Sequence, residues 1–66
     1  MIDKQFIEIV LALNTIFNDA GKVAAWLNTR NPHFGEVPPT YMIRSGRGHK
    51  VHQFILSAIM ENRPTL

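Results

Sequence analysis

The stretch KVAAWLNTRNPHFGEVPPTYMIRSGRG, Lys22 to Gly48, decides how this chain folds. It opens with a run of helix-forming and apolar residues, Val23 to Leu27, and passes into a polar loop from Asn28 to Gly35. Pro38 and Pro39 then lead a short segment carrying Tyr41, Met42 and Ile43, which ends in Ser45-Gly46-Arg47-Gly48. The only Trp and three of the four Pro lie here, together with Gly35, Gly46 and Gly48. The bulkiest anchor and the residues that permit or impose unusual backbone angles are therefore concentrated in one segment.

Within this segment the signals are local. Asn18-Asp19 interrupts the preceding apolar run and offers a cap, so a helix is expected over Ala20 to Asn28, with Val23, Trp26 and Leu27 facing inward. Asn31-Pro32 blocks its continuation, because the residue before Pro avoids the α region. Gly35 permits a tight turn. Pro38 or Pro39 suits the first position of a short helix, Pro39 to Arg44, with Gly46 as its left-handed stop. Gly48 is read as a second sharp turn. A last helix is then expected from His49 to Asn62. Val51, Phe54, Ile55, Ala58 and Ile59 form its buried face and Lys50, His52, Gln53, Ser57 and Glu61 its wet one, with Pro64 beyond its end.

Working outward to the N-terminal side, a first helix should begin at Asp3. Phe6, Val10, Leu13 and Phe17 recur at the spacing of one buried face. Ile7, Leu11 and Asn14 lie beside them, and Ile9 and Ile16 widen the apolar surface. A helix apolar over most of its circumference is either deeply buried or paired with something. No alternating strand pattern, internal repeat or linker is present. The expected fold is all-α: one domain, 1–66, built as a bundle of about four helices with Gly/Pro-rich turns. Residues 1–17 supply the N-terminal helix and 18–63 the rest.

Composition narrows the function. A chain of 66 residues buries only about 60% of the surface its unfolded form exposes. With no Cys, disulfides and thiolate metal sites are excluded, which leaves association as a source of stability. The formal net charge is +2. Arg44, Arg47 and Lys50 cluster locally but are too sparse for the basic stripe of a nucleic-acid reader. Met1-Ile2-Asp3-Lys4 is not the basic start of a signal peptide, and no apolar run reaches the ~20 residues of a membrane span. A soluble, cytoplasmic protein with no membrane partner is expected.

The order of these residues resembles a known family. A Phe17-Asn18-Asp19 turn, a helix with Ala25-Trp26-Leu27, then Asn31-Pro32, Phe34-Gly35, Pro38, Gly46-x-Gly48 and Val51 before an apolar helix is similar to the toxin-binding domain of the MbcA/ParS/Xre antitoxins. The match covers roughly Ile16 to Arg63. The resemblance implies a small helical domain that covers the NAD cleft of a RES-domain toxin, an enzyme that consumes NAD or transfers ADP-ribose from it. It implies structural roles for Trp26, Leu27, Pro32, Gly35, Pro38, Gly46 and Gly48. Members usually carry an N-terminal helix-turn-helix segment as well. Only about fifteen residues precede the match, too few for one, so DNA contact is expected only through another segment or chain. This chain departs from the pattern at Glu36, where many members have a small residue, and at Tyr41-Met42-Ile43, where a Leu pair is common.

Several residues need both readings stated. Trp26 is first a core anchor. His49 and His52, three apart on a helix, can share a metal, but no Cys or suitably spaced acid completes a site, so no metal or cofactor is expected. Ser45-Gly46-Arg47-Gly48 reads as a helix–helix turn, as an anion cradle, or as a corner presenting Arg44, Arg47 and Lys50 to an acidic or phosphate-binding partner. It lacks the Lys-Ser or Lys-Thr of a phosphate loop. His49, Gln53, Glu61, Asn62 and Arg63 complete the expected partner surface, the last three because a chain end can enter a cleft. The carboxylates are scattered and no catalytic constellation is visible, so an enzyme is not expected. Two further readings are a self-associating domain of a regulator, a homodimer motivated by the first helix, and a small DNA-binding domain reading bases through Arg47, His49, Lys50 and Gln53.

Overall fold

The computed structural model describes residues 3–62 and 66. Among them are four α-helices: α1 (Lys4–Phe17), α2 (Ala20–Asn28), α3 (Pro39–Arg44) and α4 (Gly48–Met60). A single 3₁₀ turn, Pro32–Phe34, lies between α2 and α3. One isolated antiparallel bridge joins Asn31 to Val37, and no strand is present among the described residues. The expected all-α bundle is the observed one.

The boundaries follow from short-range chemistry. Asp3 caps α1 by accepting from Gln5 N–H at 2.9 Å. Asn18 ends it in the left-handed region, φ 49°, which Asn tolerates well. Asp19 starts α2 at once, its carboxylate accepting from Lys22 N–H at 3.0 Å. Two capping residues thus make the whole α1–α2 turn. Pro39 takes the first position of α3 and is fully buried. Gly46, φ 83°, closes α3 with a paired motif: its N–H donates to Ile43 O at 3.3 Å and Arg47 N–H donates to Met42 O at 2.8 Å.

The loop between α2 and α3 is organised by Asn31, which is only 8% exposed. Its Oδ1 accepts from His33 N–H at 3.0 Å. Its carbonyl accepts from Phe34 N–H at 3.0 Å and Glu36 N–H at 3.1 Å, and its own N–H donates to Val37 O at 3.2 Å. This closes a tight lobe whose tip holds two successive left-handed residues, Gly35 (φ 77°) and Glu36 (φ 67°). A Cβ at Glu36 is strained in this left-handed conformation.

The core is drawn from every helix: Ile9 and Leu13, Val23 and Leu27, Met42, and Val51, Ile55 and Ala58. Helix α1 packs on both α4 and α2, while α3 packs on α4 and α2. Beside this core Trp26 joins an aromatic cluster. Its ring stacks on Phe54 (centroids 6.3 Å apart) and meets Phe34 edge-on (6.2 Å), and Phe34 meets Phe54 at 5.5 Å. The cluster ties α2, the 3₁₀ turn and α4 together.

Four expectations are corrected. The buried stripe of α1 centres on Ile9 and Leu13, with Phe6, Val10, Ile16 and Phe17 partly buried around it. Ile7 and Leu11 face outward. Trp26 is partly exposed at the core's edge, because α2 is short and turns its Val23–Leu27 side, not the indole, to the centre. Gly48 is the buried first residue of α4, not a turn with positive φ. A Cβ there would collide with the Gln5 side-chain amide and stand 3.6 Å from Ile43 Cα, so it marks a close approach of α4 to α1 and α3. Finally, α4 ends at Met60, with Asn62 in a left-handed conformation (φ 56°). Pro64 lies outside the described residues.

Three substitutions test this account by urea unfolding followed by circular dichroism. Trp26 Nε1–H is buried with no acceptor among the described residues. Trp26→Phe, which keeps an aromatic ring, should therefore change stability by under about 1 kcal/mol, against roughly 3 kcal/mol lost by Trp26→Ala. Equal losses would show that the indole N–H matters. Asn31→Ala should cost about 1–2 kcal/mol by stranding His33 N–H, with Asn31→Asp milder because it keeps the acceptor. Glu36→Gly should raise the unfolding midpoint by up to about 1 kcal/mol of relieved strain, net of the flexibility it adds.

Candidate protein-docking face

The α3–α4 corner gathers basic residues from three elements. Arg44 is the last residue of α3, Arg47 precedes α4, and His49 and Lys50 occupy the first turn of α4. All four are exposed, and Gln53 lies exposed one turn further on. Arg47 is held in place. Its Nε donates to Ser45 Oγ at 3.3 Å and its guanidinium lies 5.9 Å from the centre of the Tyr41 ring. The Ser45 hydroxyl in turn donates to Met42 O at 3.1 Å. Arg44 borders a shallow hollow with Phe6, Asn28, Thr40 and Ile43. No side chain caps the first turn of α4. Its free N–H groups therefore add to the positive potential of the corner.

Glu61 and Asn62 are exposed beyond the other end of α4. The helical rise puts Glu61 about 18 Å from His49. The structure therefore divides the expected partner residues into two groups instead of one patch. Arg63 lies outside the described residues.

What joins the two groups went unnoticed in the sequence. Leu56 is 42% exposed and Met60 86% exposed. With His49 and Gln53 they recur at four-three-four spacing, one stripe along the outer side of α4. The opposite side holds Val51, Ile55 and Ala58, fully buried. Helix α4 therefore carries apolar residues on both faces, one facing the core and one facing solvent. The signal was available: Leu56 and Met60 fall out of phase with the Val51–Ile55–Ala58 stripe.

The other candidates disperse. His49 is exposed and His52 half-buried, while the His33 ring lies 4.6 Å from that of Phe54. Among the described residues no three His, Asp or Glu side chains gather where they could hold a metal ion. No described helix is long and apolar enough to cross a membrane. The C-terminal Leu66 packs partly against the core, beside Trp26, Pro32 and His33. The chain matches no family model, no curated protein and no solved structure.

Proposed function

We propose that this chain is an antitoxin-like binding module acting in the cytoplasm. It holds a RES-domain toxin against the outer face of α4 and covers the cleft in which the toxin consumes NAD or transfers ADP-ribose. The observation that carries the reading is the exposed stripe His49, Gln53, Leu56 and Met60, beginning at the basic corner. Its physics suits a protein partner. Leu56 and the flexible Met60 supply apolar anchors, and Arg44, Arg47 and Lys50 steer and orient an acidic or phosphate-binding surface. The toxin itself is named by the resemblance alone, through Trp26-Leu27, Asn31-Pro32 and Gly46-x-Gly48 in their order. The module works by occlusion and carries out no chemistry of its own.

A second reading has an observation in its favour. A short helix, a three-residue turn and a longer helix with Arg47, His49, Lys50 and Gln53 at its start have the outline of a helix-turn-helix. Leu56 and Met60 on the same face, and a net charge of only +2, weigh against a phosphate-lined partner.

Co-purification of the chain with a RES-domain toxin, and loss of that toxin's NAD consumption, test the proposal. Leu56→Glu or Met60→Glu should weaken capture at least about 100-fold by removing an anchor, with helicity unchanged because both side chains are exposed. Capture that survives both substitutions would move the contact elsewhere. Duplex DNA binding that falls steeply with added salt would favour the second reading.

A further inference from the structure

The outer face of α1 carries a second stripe that the fold leaves uncovered. Ile7 is 47% exposed and Leu11 63% exposed. Lys4 and Asn14, also exposed, extend the stripe by three residues at either end. Beside it lie two apolar hollows. One, of about 200 Å³, is lined by Phe6, Ile7, Val10 and Leu11. The other, of about 430 Å³, runs between α1 and α2 past Val10, Leu11, Val23 and Ala24. No residue lining either hollow carries a formal charge.

We propose that this face binds a second copy of the chain, α1 against α1 in antiparallel fashion about a two-fold axis that crosses the outer face of α1 midway between Ile7 and Leu11. The argument for this occupant is the pattern itself. The stripe Lys4, Ile7, Leu11, Asn14 is spaced three, four, three, and reads polar, apolar, apolar, polar in both directions. Two copies laid head to tail therefore match like with like, as a two-fold interface requires. Ile7 of each copy meets Leu11 of its mate, and Lys4 of each can donate to the Asn14 amide oxygen of the other. The register is specified, because slipping one way sets Lys4 on Leu11 and slipping the other sets Ile7 on Asn14.

Charge and area agree. A strongly charged partner would find nothing to pair with in the uncharged hollows, whereas the same apolar surface can close on its own copy with each Lys4 at the edge of the seam. A stable interface needs about 800 Å² from each partner, roughly a sixth of this chain's 4579 Å². The α1 stripe and the adjoining α1–α2 groove are the surface from which a molecule measuring 28 × 26 × 21 Å would supply that area. The exposed stripes of α1 and α4 lie on opposite sides of the pair of helices, so the proposed dimer leaves the α4 face of each copy open. The inference does not depend on the toxin reading.

Sedimentation equilibrium of the whole chain across a dilution series is the test. A reversible dimer with Kd on the order of 10 μM is expected, at the weak end of the range that interfaces of standard size span. Leu11→Lys should weaken it at least tenfold by burying an unpaired ammonium, and Ile7→Gln should do so more mildly. Far-UV circular dichroism should be unchanged in both variants, since both side chains are exposed. The chain has no Cys, so register can be read directly by mixing Ile7→Cys and Leu11→Cys chains under oxidation. The mixed disulfide should form ahead of either homodisulfide. A monomer at every concentration, a dimer indifferent to Leu11→Lys, or dominant homodisulfides would each overturn the proposal.

Discussion

One asparagine holds the geometry of this domain. Asn31 is nearly buried, and it is the only buried polar side chain among the described residues. Its main-chain and side-chain groups take up four hydrogen bonds within seven residues. A buried amide that failed to find these partners would be costly, so the lobe from Asn31 to Val37 has one good closure. That closure sets where α2 stops and where Pro38-Pro39 launches α3. It also delivers Phe34 to Trp26 and Phe54, so the aromatic cluster depends on the loop as much as on the helices.

The division of labour among the helices follows. In so small a chain the core is confined to a few apolar side chains, one to three from each helix, and the rings pack at its edge. With so little interior available, α1 and α4 each bury one stripe and leave another in water. These outward stripes differ in character. That of α4 begins at a basic corner and suits an unlike partner with opposite charge, whereas that of α1 is neutral between polar ends. Single exposed apolar residues are ordinary on protein surfaces, but two such residues in helical phase make a surface with direction.

What the sequence disclosed depended on range. The limits of α2 and α3 were readable because Asp19, Pro39 and Gly46 act on neighbours a few residues away. The inward face of α1 was not, since a helix apolar nearly all round has no unique buried side until its neighbours choose one. Ile9, which its spacing sets at the flank of the Phe6–Val10–Leu13–Phe17 stripe, is central. Gly48 differs for a related reason: its approach to Gln5 of α1 and Ile43 of α3 exists only once α4 has packed. For the docking face, the exposure of Arg44, Arg47, His49, Lys50 and Gln53 was foreseeable from polarity. Leu56 and Met60 belong to neither of the faces expected of α4, and their exposure emerges only once the packed side of the helix is fixed.

The Met42 carbonyl ties the surface to the interior. It accepts both the Arg47 N–H and the Ser45 hydroxyl, while its own side chain lies in the core. Anything that gripped Arg47 would therefore pull on an atom three bonds from the side chain of a buried residue. In a domain this small, occupancy at that corner and resistance to unfolding are two readings of one set of bonds. Any molecule that gripped that corner in the folded chain alone would stabilise the bundle by mass action.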